Sequence, residues 1–163
     1  MSEAGLFARL ARMLAVAGGL LLLAASALTV VSGLSRWLTS QPVRGDFEMV
    51  SVACGVAVMA FLALGTLRRS NIFVDSFTNW LPARLTGVID AFWHLVWAAV
   101  MALLAWRMGV GGIEGMRNGV RTIGLLAMPY GWAITLGAAC FALTAVIALL
   151  WVPRLLRGDA DGA

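Results

Sequence analysis

Residues 130–152 read YGWAITLGAACFALTAVIALLWV, a run with no charged side chain, bounded by Pro129 and Pro153. A helix needs about 20 mostly apolar residues to cross a bilayer, at ~1.5 Å per residue against a hydrocarbon core of ~30 Å. This run meets that requirement by itself. Working outward, three more stretches do the same. No residue between Arg12 and Arg36 is charged, and none from Met49 to Leu67. Between Arg84 and Arg107 the notable polar breaks are Asp90 and His94, both near the start. The expected fold is therefore an all-α membrane protein with four transmembrane helices, over approximately 13–34, 48–67, 86–106 and 130–152. These form one membrane domain, 1–163, with little chain left for a separate soluble domain.

Composition supports this. The chain is 61% hydrophobic and 12% charged, with a mean hydropathy of +0.91. A soluble domain carries about 25% charged residues and could not cover so much apolar surface. All 12 basic residues are arginines, and the net charge is +4. They stand singly or in pairs at the span ends, so they form no patch for nucleic acid. Cys54 and Cys140 fall in the middle of spans two and four, where they read as small apolar core residues.

The N-terminus has features of a secretory leader. Arg9 and Arg12 make a basic segment, Leu20–Leu23 lies in an apolar one, and Ala25-Ser26-Ala27 has the small-x-small form of a cleavage site. The apolar run nevertheless continues to Leu34, long enough to remain as an anchor, and retention is the expectation. With four spans, one side holds Arg9, Arg12, Arg68, Arg69, Arg84, Arg154 and Arg157. The other holds Arg36, Arg44, Arg107, Arg117 and Arg121. The positive-inside rule places both termini in the cytoplasm of an inner membrane. Trp37, Trp80, Trp106, Trp132 and Trp151 fall near span ends, as an aromatic belt would.

Between spans two and three, Phe73, Phe77, Trp80 and Leu81 recur at helical spacing, with Asp75 and Asn79 on other faces. Ser70 or Asn71 could cap this segment and Pro82 ends it. The pattern predicts a short amphipathic interfacial helix over 70–82. Gly109–Met128 is the longer loop on the opposite side. It begins rich in glycine, then Ile113, Met116, Val120 and Ile123 recur every three or four residues. A surface helix and a flexible loop both fit it.

The chemistry is sparse. One histidine cannot hold a haem between two histidines of this subunit, and a zinc site lacks ligands. No Gly-rich phosphate loop follows a strand, and no nucleophile has a base beside it. The expectation is no cofactor, no metal and no enzyme activity. Ionisable groups within spans are costly, and so are the default functional candidates. Glu48 opens the second span, where a carboxylate suits a helix N-terminus and is expected to stay wet at the headgroups. Asp90 and His94, four residues apart, share a face one to two turns inside the third span. They read as a structural polar contact rather than a proton relay. The span centres are plain, without the broken helices and midplane charges of a transporter that works alone. Small-residue pairs such as Ala53 with Ala57, Ala133 with Gly137 and Ala138 with Ala142 offer close helix approaches. An accessory subunit is the economical reading.

Two motifs then carry a resemblance. Gly45-Asp46-Phe47-Glu48 heads the second span, and Asn71-Ile72-Phe73-Val74-Asp75 follows it, with Leu81-Pro82 before the third. In their order and spacing these resemble the small membrane subunit of tripartite ATP-independent periplasmic (TRAP) transporters. There the second motif often opens with His where this chain has Asn71. The likeness extends over essentially the whole chain. It implies a scaffold beside a large multi-span permease subunit that carries the substrate and sodium sites. A periplasmic substrate-binding protein would deliver an organic acid. By position, Glu48, Asn71 and Asp75 are the motif residues, holding fold and subunit interface, with Arg68 and Arg69 anchoring the cytoplasmic face. A membrane anchor or assembly subunit of another inner-membrane complex, such as a redox enzyme, is the alternative. A free-standing proton-coupled exporter would require midplane charges that this sequence does not offer.

Overall fold

A computed structural model of the chain describes residues 3–68 and 83–157. Among the described residues there are four helices: α1 (Glu3–Thr39), α2 (Asp46–Leu67), α3 (Ala83–Arg117) and α4 (Gly131–Arg157). All four are long and apolar enough to cross a membrane. Among the described residues the β-structure is a single isolated bridge, Arg121 to Pro129. The interfacial helix expected over 70–82 lies outside the described residues.

The helices overrun the expected spans. α1 has 37 residues and α3 has 35, about 55 Å and 52 Å at ~1.5 Å per residue, against a hydrocarbon core of ~30 Å. α3 continues past Arg107, through what the sequence left open as loop or helix, and stops at Arg117. Its end is a Schellman turn. Gly119 takes φ 63, the Val120 amide donates to the Gly115 carbonyl at 2.9 Å, and the Gly119 amide donates to that of Met116 at 3.3 Å. α4 likewise runs through Pro153, where the sequence reading stopped it. A proline removes one helical hydrogen bond, but Trp151 and Leu155 on either side are buried in the core and hold the last turn in place.

Consecutive helices are antiparallel, and their packing order is not their chain order. α1 lies on α2 and α3 on α4, while α2 and α4, which run the same way, meet in the middle; α1 barely touches α4. Close approaches occur where glycine leaves room. A Cβ on Gly18 would stand 3.3 Å from the Ala57 carbonyl oxygen and the Ala60 methyl. On Gly112 it would stand 3.0 Å from the Thr135 nitrogen, and on Gly87 3.0 Å from the Leu155 carbonyl oxygen. Glycine therefore sets the separation of α3 and α4 at both ends. One buried cluster joins Ala11, Ala63, Ala91, Ile147, Trp151 and Leu155; a second joins Met101, Phe141 and Ala145. Large apolar side chains such as Leu20, Leu23 and Val30 on α1, and Leu103 and Trp106 on α3, face outward, as lipid or a membrane partner requires.

Candidate functional site

Polar side chains gather where α1 ends, α2 begins, α3 ends and α4 begins. α2 starts at Gly45, whose φ of 75 and ψ of 15 are left-handed, a conformation open to glycine at little cost. The Gly45 carbonyl accepts the Met49 amide at 3.0 Å. In the first turn, Asp46 Oδ1 accepts the Phe47 amide at 2.7 Å, and the positive end of the helix dipole favours both Asp46 and Glu48.

Each of these carboxylates also ties a distant segment to α2. The Ser32 hydroxyl of α1 donates to Asp46 Oδ2 and accepts the Val43 amide at 3.3 Å. Ser32 is 3% exposed, so α1, the turn and α2 share one buried knot. Glu48 is 8% exposed. The Thr122 hydroxyl donates to its Oε2, and the Leu126 amide donates to its Oε1 at 3.1 Å. Thr122 and Met128 close the loop on itself. The Thr122 amide donates to the Met128 carbonyl, and the Met128 amide donates to the Thr122 hydroxyl, both at 2.9 Å. Glu48 was expected to stay wet. It is buried because the 121–129 loop folds over it, and its oxygens replace the water that loop excludes.

Two glycines make room for this clasp. A Cβ on Gly124 would fall 1.9 Å from Glu48 Oε1, and one on Gly45 would fall 1.9 Å from Leu126 Cδ1. The clasp leaves Ile123 and Leu125 at the loop tip fully or largely exposed.

Toward the other end of the bundle, His94 is 2% exposed and Thr66 is fully buried. His94 Nδ1 lies 3.0 Å from the Asp90 carbonyl oxygen. A carbonyl only accepts, so Nδ1 carries the proton in this contact. The Trp97 indole N–H donates to the Thr66 hydroxyl at 3.2 Å, linking α3 to α2. Arg68 is exposed at the end of α2, where its backbone N–H caps the Leu64 carbonyl at 3.0 Å and its charge suits the negative end of the dipole. Arg69, Asn71 and Asp75 lie outside the described residues. Of the expected site residues, His94 meets the backbone carbonyl of Asp90, Glu48 stands with partners the sequence reading did not name, Thr122, Gly124 and Leu126, and the Ser32 hydroxyl pairs with Asp46. None carries a local signal, since each matters only through a contact made far along the chain. Among the described residues no group of three or more His, Cys, Asp or Glu side chains could hold a metal.

One comparison with known proteins is informative. The family model described as "Tripartite ATP-independent periplasmic transporters, DctQ component" matches residues 25–158, which include all of α2, α3 and α4 and the entire clasp. No curated protein and no solved structure matches the chain.

Proposed function

Because the chain belongs to the DctQ-component family of tripartite ATP-independent periplasmic transporters, we propose that it is the static scaffold of a sodium-coupled, binding-protein-dependent importer of organic acids. The family is a transporter-subunit family and not an enzyme family. Its members work with a large permease and a periplasmic binding protein. In the proposed arrangement the large subunit binds substrate and sodium, and this chain packs beside it in the inner membrane. Both termini are cytoplasmic, and the clasp faces the periplasm.

The observation that carries this reading is how the buried polar groups are used. Thr144 donates to the Cys140 carbonyl of its own helix, Thr66 accepts the Trp97 N–H, and Ser32 and Glu48 fasten helix ends. These contacts join parts of the chain to one another. A transport domain moving across a bilayer works against a frame that stays still, and four continuous helices fastened at their ends supply one. Asn71, Asp75, Arg68 and Arg69 are proposed to stabilise the cytoplasmic side and the subunit interface.

The test is reconstitution. Proteoliposomes containing the large subunit and this chain, with binding protein and a sodium gradient, are expected to take up an organic acid. The full chain alone is expected neither to bind that acid nor to transport it. Binding by the chain alone would overturn the scaffold assignment.

A further inference from the structure

The loop that Glu48 holds carries no charge beyond Arg121, and the next charged residue is Arg154. Its height relative to the membrane follows from α2. That helix has 22 residues, about 33 Å at ~1.5 Å per residue, against a hydrocarbon core of ~30 Å. A helix so closely matched in length has its first turn at the hydrocarbon boundary. Glu48 lies in that turn and accepts the Thr122 hydroxyl and the Leu126 amide. The 121–129 loop is therefore held at the boundary too.

Within the loop, polar groups turn inward and apolar side chains turn outward. The Thr122, Leu126 and Met128 amides donate to the Met128 carbonyl, to Glu48 and to the Thr122 hydroxyl. Ile123 is 105% exposed and Leu125 84%. Phe47, beside Glu48 in the first turn of α2, is also largely exposed. Arg36, Arg44, Arg117 and Arg121 are exposed at the same end, whereas the Asp46 and Glu48 carboxylates are engaged by Ser32 and the loop. An apolar tip with a surplus of exposed arginine around it suits the zone where acyl chains meet lipid phosphates.

We infer that Ile123 and Leu125 insert into the lipid leaflet at this end, between the headgroups and the upper acyl chains. The loop is then a membrane anchor as well as a cover for Glu48. Lipid fits this tip better than a protein partner does. Two side chains on a turn offer a small part of the ~800 Å² per partner that a stable protein interface buries. Their height already places them beside lipid. The inward hydrogen bonds also let the loop approach hydrocarbon without those three amides losing their partners. The inference needs only that the helices span a bilayer, and it does not depend on the transport role.

The test is a depth measurement on the full chain co-purified with its large subunit and returned to vesicles of phosphatidylcholine and phosphatidylglycerol. Ile123→Cys, and Gln41→Cys in the exposed α1–α2 turn, are each labelled with a nitroxide. Signal from labelled wild type, which has Cys54 and Cys140, is subtracted. Power saturation then compares collisions with oxygen, which partitions into lipid, and with a water-soluble nickel chelate. The oxygen-to-chelate ratio is expected to be several-fold higher at position 123 than at position 41. Equal ratios would leave the tip in water, and shielding from both reagents would put a protein over it; either result overturns the inference. A second measurement keeps the native side chains. Wild-type complex in vesicles whose phosphatidylcholine bears a diazirine near the top of the acyl chain is illuminated and its adducts are mapped. Adducts on Ile123 or Leu125 are expected, and adducts elsewhere on the chain with none on these two would sink the proposal.

Discussion

Glu48, in the first turn of α2, accepts the hydroxyl proton of Thr122 although 74 residues separate them. The same carboxylate accepts the Leu126 amide, so one side chain fixes both a hydroxyl and a backbone donor of the α3–α4 loop. Removing it leaves two donors under the loop without partners, and unsatisfied buried donors are more costly than the hydrogen bonds are favourable. Glu48→Ala is expected to lower the melting temperature of the detergent-solubilised complex by several degrees and to open the 121–129 loop to protease. Glu48→Gln keeps an acceptor but turns an amide NH₂ toward a donor, so its effect falls between. A Glu48→Ala protein with wild-type melting and an uncut loop would show that the clasp contributes nothing.

Gly124 tests the same clasp from the other side. The conflict is with the carboxylate, since a Cβ there would occupy the position of Glu48 Oε1. Gly124→Ala is therefore expected to match Glu48→Ala in melting temperature, and the double variant to be scarcely worse than either single one, as for residues that share one interaction. Gly45→Ala differs. Its Cβ meets Leu126, and its left-handed φ of 75 adds about 1–2 kcal/mol for a non-glycine residue. Leu126→Ala should relieve the clash and leave the backbone strain, restoring only part of the loss. Additive loss in the Glu48–Gly124 pair would show that the two residues act separately.

How much of this was legible depends on distance along the chain. Four spans could be read by moving from charge to charge, because water and hydrocarbon sort residues locally. Helix ends could not. Arg107 ends the apolar run of α3 but not the helix, since a charge at the membrane surface is no obstacle to backbone hydrogen bonding. The glycines that follow fit a loop as well as a helix in sequence, and Gly112 and Gly115 are where the start of α4 comes close. A Cβ on Gly131 would stand 3.0 Å from the Gly112 carbonyl oxygen. Glu48 read as wet because nothing near it in sequence says that a loop beginning near Asn118 folds over it. The family motif marked Gly45–Glu48 as a unit without saying what it holds.

That reading of the glycines is testable. Gly112→Ala places a methyl against backbone atoms of α4, at 3.0 Å from the Thr135 nitrogen and 3.2 Å from the Gly131 carbonyl oxygen, which cannot swing aside as a side chain would. Overpacking of this kind costs about 1–3 kcal/mol, so a clear drop in melting temperature is expected. Gly111→Ala, with open space around its Cβ, should be neutral or slightly stabilising, because alanine favours helix over glycine by about 1 kcal/mol. Equal behaviour of the two variants would mean that α3 and α4 are not held at this separation by Gly112.

The hydrogen bond from Trp97 to Thr66 spans α3 and α2 inside the membrane. Interhelical hydrogen bonds in lipid contribute only about 0.6 kcal/mol on average, because the separated helices also find partners. Trp97→Phe also removes part of the ring that packs beside Met101 and Phe141, so the single variant mixes two losses. A double-mutant cycle with Thr66→Val separates them, since valine keeps the shape of threonine while removing the acceptor. The expected coupling is about 0.5–1.5 kcal/mol, read from unfolding in detergent. Zero coupling with a large Trp97→Phe effect would assign the α2–α3 link to packing alone, and the frame would then rest on the clasp and the glycine contacts.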